Sequence, residues 1–159
     1  MSCKDDFCAL LDKGDYKYED IDDSHVALRF TGSKARDITI HIYFEKDEKL
    51  NCELVALRCY SFSIIPYNKS ATLGRAKVIE KFNELNSRYR WVRFFVDNDD
   101  DCVCVAADCV AIGGEEPIKL TVFQRVMRLA HIYDEAYPQI MRTIWSEETE
   151  NNQEVKQDG

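Results

Sequence analysis

The cysteines are the residues in this chain with the clearest capacity for chemistry. There are seven among 159 residues, and Cys102, Cys104 and Cys109 lie close together. Structural zinc sites present Cys-x-x-Cys-type pairs from turns, whereas Cys102-x-Cys104 in a strand would place both thiols on one face of a sheet. With no second cysteine pair and no histidine nearby, we interpret these thiols as buried apolar residues and predict no metal site.

A thiol enzyme would also need a histidine beside a cysteine. His25, His41 and His131 fall in three different predicted elements, and their spacing does not tell whether any of them meets a cysteine. Nucleotide-binding glycine loops, nucleophile elbows and His-Glu-x-x-His motifs are missing from the sequence. The residues therefore predict no catalytic group and no cofactor, and a thiol or metal enzyme is among the less favoured hypotheses.

An acidic segment imitates a calcium loop. Counting from Asp97, aspartates occupy the first, third, fifth and twelfth positions, the last being Asp108. Cys102 stands where such loops need glycine, and the twelfth position lacks the bidentate glutamate. Since predicted strands flank the segment, we interpret it as the acidic tip of a hairpin.

Basic and aromatic side chains alternate over residues 88–95, a combination that can stack on single-stranded nucleic acid. The run lacks the glycines of the ribonucleoprotein motif. The formal net charge is −8, with the excess acids concentrated in residues 1–24 and 146–159. Because phosphate binding depends on clustered cations, nucleic acid is an unlikely partner on this sequence and a protein partner is favoured.

Composition limits the compartment. Hydrophobic residues make up 45% of the chain, but their longest unbroken run is 102–107, far short of the roughly 20 residues of a membrane span. The odd number of cysteines suits a reducing compartment. Asp5 and Asp6 stand where a signal peptide would carry basic residues. We therefore predict a cytoplasmic protein with no membrane contact.

Apolar periodicity predicts the elements that position these residues. A short helix ends at Gly14, residues 15–23 read as an acidic loop, and strict alternation over 38–44 indicates a half-buried strand. The third strand, 52–65, is apolar on both faces and is a candidate for a bulge. A long helix follows from about 118 to 145, with Pro138 expected to kink or divide it. The prediction is one α+β domain, 1–145, with a five-stranded antiparallel sheet in the order α-β-β-β-α-β-β-α, and a disordered acidic tail, 146–159.

Several strings in this order resemble the YbjN domain family. In that family a helix leads into an acidic hairpin and then into a helix with spaced aromatics and a late proline. The resemblance rests on residues 91–97, residues 102–108, and the helical positions Phe123, Tyr133, Tyr137 and Pro138. The element order is also similar to the type III secretion chaperone fold. The likeness covers about residues 5–145.

The resemblance implies a bacterial cytoplasmic protein of the kind called a sensory-transduction regulator, with no catalytic residues or cofactor. It favours a non-enzymatic protein-interaction module, with an unidentified protein partner or a second copy of the chain. The alternative is a secretion-type chaperone that binds an extended segment of a client. A single-stranded nucleic-acid binder and a thiol or metal enzyme are less favoured.

Strand parity predicts where a partner would bind. The apolar set at 38, 40, 42 and 44 should face the helices, so the alternate residues of the strands face outward. Aromatic residues and arginine are enriched in binding hot spots. The predicted partner surface consists of Tyr43, Arg58, Tyr60, Phe62, Trp91, Arg93 and Phe95. A first helix lying over this face, or a bulge in the third strand, would change that assignment.

Overall fold

Six antiparallel strands form one sheet in the computed structural model, which describes residues 2–49, 52–63, 71–97 and 102–154. In chain order they are β1 (Tyr18–Asp22), β2 (His25–Phe30), β3 (Ile38–Asp47), β4 (Cys52–Ser63), β5 (Arg93–Asp97) and β6 (Cys102–Ala111). The strands lie side by side as β1-β2-β3-β4-β6-β5. The predicted α+β class with an antiparallel sheet is confirmed.

The described helices are α1 (Cys3–Lys13), α2 (Ala71–Arg88), α3 (Glu115–Ile118) and α4 (Gln124–Glu154), with a π-helical turn, Lys119–Phe123, between the last two. Helix α1 begins in a capping box, in which the Ser2 hydroxyl accepts from the Asp5 N–H and the Asp5 carboxylate accepts from the Ser2 N–H. This arrangement satisfies two N–H groups that a helix start leaves without partners.

The prediction of five strands is wrong, because the sheet has six. The additional strand is β1, which lies within the segment interpreted as an acidic loop, and it pairs with β2. Strand β1 was not predicted because acidic residues are uncommon in strands. At the edge of a sheet they are tolerated, since their side chains reach water. Tyr18 packs against the core, and Asp20 pairs with Lys4 at 2.7 Å.

Two further details qualify the predicted elements. The pairing of β4 with β6 shifts by one residue between Cys59 and Phe62, which confirms the bulge. Helix α4 is not divided at Pro138 and continues past the predicted end at Trp145. Buried Ala136 and Ile140 lie on either side of the proline and pack into the core, which keeps both parts of the helix on the sheet.

One hydrophobic cluster joins every described helix to the same side of the sheet, here called the covered face. The alternating residues Ile38, Ile40 and Ile42 are buried there as predicted. Helix α1 also lies on this side, with the Phe7 ring centroid 5.8 Å from that of Phe44. In the part of the chain that the structure describes, the opposite face, here called the outer face, carries no helix.

Candidate functional site

The outer face is organised by rows of paired residues that run across the strands. In one row Ala27 of β2 is opposite His41 of β3, which is opposite Arg58 of β4. Arg58 is opposite Ala106 of β6, and Ala106 is opposite Arg93 of β5. Because directly paired residues share a face, the register brings two arginines from non-adjacent strands to either side of a small alanine.

A single carboxylate joins the two arginines. Arg58 Nη1 donates to Asp108 Oδ1 at 2.7 Å, and Arg93 Nη2 donates to Asp108 Oδ2 at 2.8 Å. Arg58 is also anchored to the backbone carbonyl of Leu57 at 2.9 Å, whereas the Arg93 side chain is 66% exposed. The single carboxylate of Asp108 thus pairs with two guanidinium groups, and the exposed Arg93 can bind a further anionic group.

Aromatic rings and histidines continue the outer face toward β2. His25 Nε2 and His41 Nδ1 are 2.9 Å apart, and the His25 ring stacks on Tyr43 with centroids 4.2 Å apart. The Tyr60 ring lies 5.8 Å from His41. Burial, followed by the charge of His25, lowers the pKa of His41, and burial raises the pKa of Tyr60 to about 12. These shifts keep the His41 and Tyr60 side chains uncharged near neutral pH.

The predicted surface is brought together in part. Tyr43, Arg58, Tyr60, Arg93 and Phe95 are located on strands at outward positions, and Phe95 is 36% exposed. These five residues, with His25, His41 and Asp108, form what we call the outer cluster.

Trp91 is placed differently from the parity prediction. It precedes β5 in a turn and has a φ of 77°, so strand alternation does not apply to it. Trp91 is 71% exposed, and its ring lies under the guanidinium of Arg125 in α4, with Cζ 4.6 Å from the ring centroid. Trp91 therefore contacts α4 and does not occupy an outward position on a strand.

Phe62 follows the bulge and pairs with Val103 through the backbone, and its side chain lies outside the described residues.

Sequence reasoning missed His25 and Asp108 as members of the cluster. His25 alternates with the buried residues of β2 in the same way as Arg29, so the strand alternation alone could have placed His25 on the outer face. Asp108 joins the arginines only through the register of β4, β6 and β5, and no spacing along the chain reveals it.

Burial makes three of the described thiols hard to ionise. Burial raises the pKa of Cys104 to about 12, and burial raises the pKa values of Cys3 and Cys109 to about 11. A thiol attacks as its thiolate, so these groups are poor nucleophiles at neutral pH. Within residues 2–49, 52–63, 71–97 and 102–154, no group of three or more His, Cys, Asp or Glu side chains could hold a metal ion.

The acidic hairpin and the basic-aromatic run have other structural roles. Asp108 lies six residues beyond Cys102 along β6, about 20 Å at the rise of a strand, and is bound to arginines. It therefore cannot close a calcium loop at the hairpin tip, whose residues 98–101 lie outside the described part. In the basic-aromatic run, Phe94 enters the core while Arg88 pairs with Glu84 and Arg93 with Asp108. The run does not present one continuous stacking surface.

A cleft of about 530 Å³ lies between α2 and α4. Its lining residues are Lys77, Glu80, Lys81, Glu84, Arg142 and Thr143. Lys81 and Arg88 both pair with Glu84, and the lining contains no cysteine or histidine. The lining therefore carries three cationic side chains and two carboxylates.

None of the described helices is both long and apolar enough to cross a membrane.

Comparison with known proteins gives one match. The model of the YbjN family, described as "Putative bacterial sensory transduction regulator", matches residues 4–117, which is more than half of the chain. No curated protein and no solved structure matches. The matched segment extends from α1 into α3 and so includes all six strands and the outer cluster. The chain belongs to the YbjN family.

Proposed function

We propose that this protein is a non-enzymatic regulatory module of the bacterial cytoplasm that binds another protein through the outer face of its sheet. The observation that carries the proposal is the outer cluster itself. Its rings and guanidinium groups remain half-buried or exposed on a face that carries no described helix. Tyrosine and arginine are the residue types that contribute most to protein interfaces when a partner covers them.

The composition of the cluster supports a protein partner over a small-molecule substrate. Burial raises the pKa values of Cys104 and Cys109, so both stay protonated at neutral pH, and no group of three or more described His, Cys, Asp or Glu side chains could hold a metal ion. The family description, a sensory transduction regulator, agrees with a role exercised through binding. A second copy of this chain is the alternative occupant of the face, and light scattering across a concentration series distinguishes it from a different protein.

The test compares two charge reversals. Arg93→Glu removes an exposed cation from the outer cluster, and Arg128→Glu is the matched control on the exposed side of α4. The partner is captured from bacterial cytoplasm with the wild-type protein, identified, purified and titrated against each variant. We expect Arg93→Glu to weaken binding at least about tenfold and Arg128→Glu to change it less than about threefold. Equal effects of the two variants, or a larger effect of Arg128→Glu, would refute the outer face as the binding surface.

A further inference from the structure

The sheet has two outer edges and one internal step. Strand β6 pairs with β5 only over Cys102–Ala106, although its pairing with β4 extends to Ala111. Residues 107–111 of β6, here called the β6 step, therefore have a neighbouring strand on one side only. A strand segment without a neighbour exposes backbone donors and acceptors to any chain that can lie beside it.

Both outer edges are protected. At β1, the exposed acids Glu19, Asp20 and Asp22 surround the edge with charge. At β5, the side chain of Asn86 from α2 occupies the free backbone groups of Phe94. The Phe94 N–H donates to Asn86 Oδ1 at 2.7 Å, and Asn86 Nδ2 donates to the Phe94 carbonyl at 3.1 Å. Asn86 thus takes the place that an added strand would use.

The β6 step has a different surface. Val110 is 47% exposed, and Ile112, immediately beyond the strand, is 60% exposed. Trp91 lies at the other end, in the turn before β5. The one charged side chain of the step, Asp108, is already paired with Arg58 and Arg93. The step thus combines a one-sided strand with exposed apolar side chains, a combination that natural sheets usually avoid at an unused edge.

We propose that the β6 step binds an extended segment of a partner protein as an added strand, and that this segment alternates apolar and acidic residues. The proposal rests on the proposed function and specifies how the partner attaches. Val110 lies on the outer face, so an added strand that places its apolar residues beside Val110 directs its acidic residues toward the helices. On that side Arg125 of α4 lies over Trp91, close enough to Cys109 to influence its pKa. Acidic residues would complement Arg125, whereas a second copy of this chain would bring two such arginines together.

Two synthetic peptides of about nine residues, the length of an ordinary strand, test the chemistry. One alternates Val with Asp, and the other alternates Val with Lys. Each is titrated against the full chain, and amide hydrogen exchange is then measured. We expect the Val/Asp peptide to slow exchange within residues 107–111 and to bind at least about tenfold more tightly than the Val/Lys peptide. Unchanged exchange in the step with both peptides, or tighter binding of the Val/Lys peptide, would overturn the proposal.

Two variants test the location. Val110→Lys places a charge on the step, and Leu54→Lys is the matched control, because Leu54 is paired with Val110 on the inner strand β4 and is 38% exposed. Val110→Lys should weaken the Val/Asp peptide at least about tenfold, and Leu54→Lys less than about threefold. Should Val110→Lys lower the melting temperature markedly, Ile112→Lys replaces it. Equal weakening by step and control variants would overturn the proposal.

The natural partner separates this proposal from the proposed function. If Arg93→Glu weakens the captured partner and neither Val110→Lys nor Ile112→Lys does, the outer face binds the partner and strand addition at the step is refuted. If no partner responds to Arg93→Glu while the Val/Asp peptide still protects the step, the step proposal survives and the outer-face function falls.

Discussion

The two faces of the sheet differ in what their side chains need. On the covered face, Ile40, Ile42 and Leu57 are fully buried beneath helices, and their contribution comes from removing apolar surface from water. On the outer face, strands of the same sheet carry the side chains of Arg58, Tyr60 and Arg93, which place rings and charges at the surface. The alternation of a strand allows one sequence to satisfy both demands, because adjacent residues point to opposite sides.

Because of this difference, neighbouring residues of one strand can contribute separately to the stability of the fold and to the binding of a partner. In β3, buried Ile42 contributes to the core, while its neighbour Tyr43 stacks on His25. Substitutions at adjacent positions should therefore have unequal effects on folding and on binding.

The largest effect is expected from Ile42→Ala. Ile42 has no exposed surface, so its truncation leaves a cavity and should lower the free energy of unfolding by about 3 kcal/mol. Tyr43→Ala, at the next position but on the outer face, should cost about 1 kcal/mol, since it loses mainly a ring stack. Urea unfolding of both variants measures the difference. Comparable losses of about 3 kcal/mol would mean that the outer face is part of the core.

A smaller effect is expected where α4 meets the β2–β3 loop. The Asp134 carboxylate accepts hydrogen bonds from the N–H groups of Ser33, Lys34 and Ala35 and from the Ser33 hydroxyl. A Cβ on Gly32 would lie 2.2 Å from Asp134 Oδ1, so glycine permits this approach. Asp134→Asn places an amide donor against those donors and should cost about 2 kcal/mol.

The same carboxylate gives a dependence on pH. The hydrogen bond from the Ala35 N–H, followed by those from Lys34 and Ser33, lowers the pKa of Asp134 from 3.8 to about 2. Because the folded protein holds the carboxylate ionised, its contribution to stability is complete above pH 3.8 and is lost as the pH falls toward 2. Unfolding measured across that range should show a drop that Asp134→Asn reduces. An unchanged drop in the variant would assign it to other carboxyl groups.

The smallest change in stability is expected from Asn86→Ala, about 1 kcal/mol, because Asn86 is exposed and loses two hydrogen bonds with Phe94. Its main consequence should be at the edge of β5, where the Phe94 amide should exchange faster and self-association should increase at high concentration. Asn83→Ala, one turn earlier on the exposed side of α2, is the control. If exchange at Phe94 is unchanged in Asn86→Ala, the side chain does not protect this edge.

The covered face was predictable because a strand with one buried side has a period of two. The alternation from Ile38 to Phe44 identified the core side of β3 correctly, and Val55, Leu57 and Cys59 of β4 are buried with the same period of two. These predictions needed only the local pattern of apolar residues.

The outer face was predictable only in part. Trp91 does not follow the strand alternation because it lies in a turn and has a positive φ. The spacing of apolar residues along the sequence does not reveal such a backbone conformation. Asp108 joined the cluster through pairing across three strands, which depends on register. Strand β1 was missed because its acids serve an exposed edge. Contacts between side chains on different strands, and residues at the boundary of the sheet, leave no periodic pattern along the chain.

Hydroxyl-radical footprinting of the free protein and of its complex with the captured partner tests the central claim most directly, because it reports the solvent exposure of individual aromatic and methionine side chains. Tyr60 and Phe95 report the outer face, and Tyr16 and Met127, both exposed, report the helical side. The account predicts that the partner reduces labelling of Tyr60 and Phe95 and leaves Tyr16 and Met127 unchanged. Protection of Tyr16 and Met127 with unchanged labelling of Tyr60 and Phe95 would contradict it.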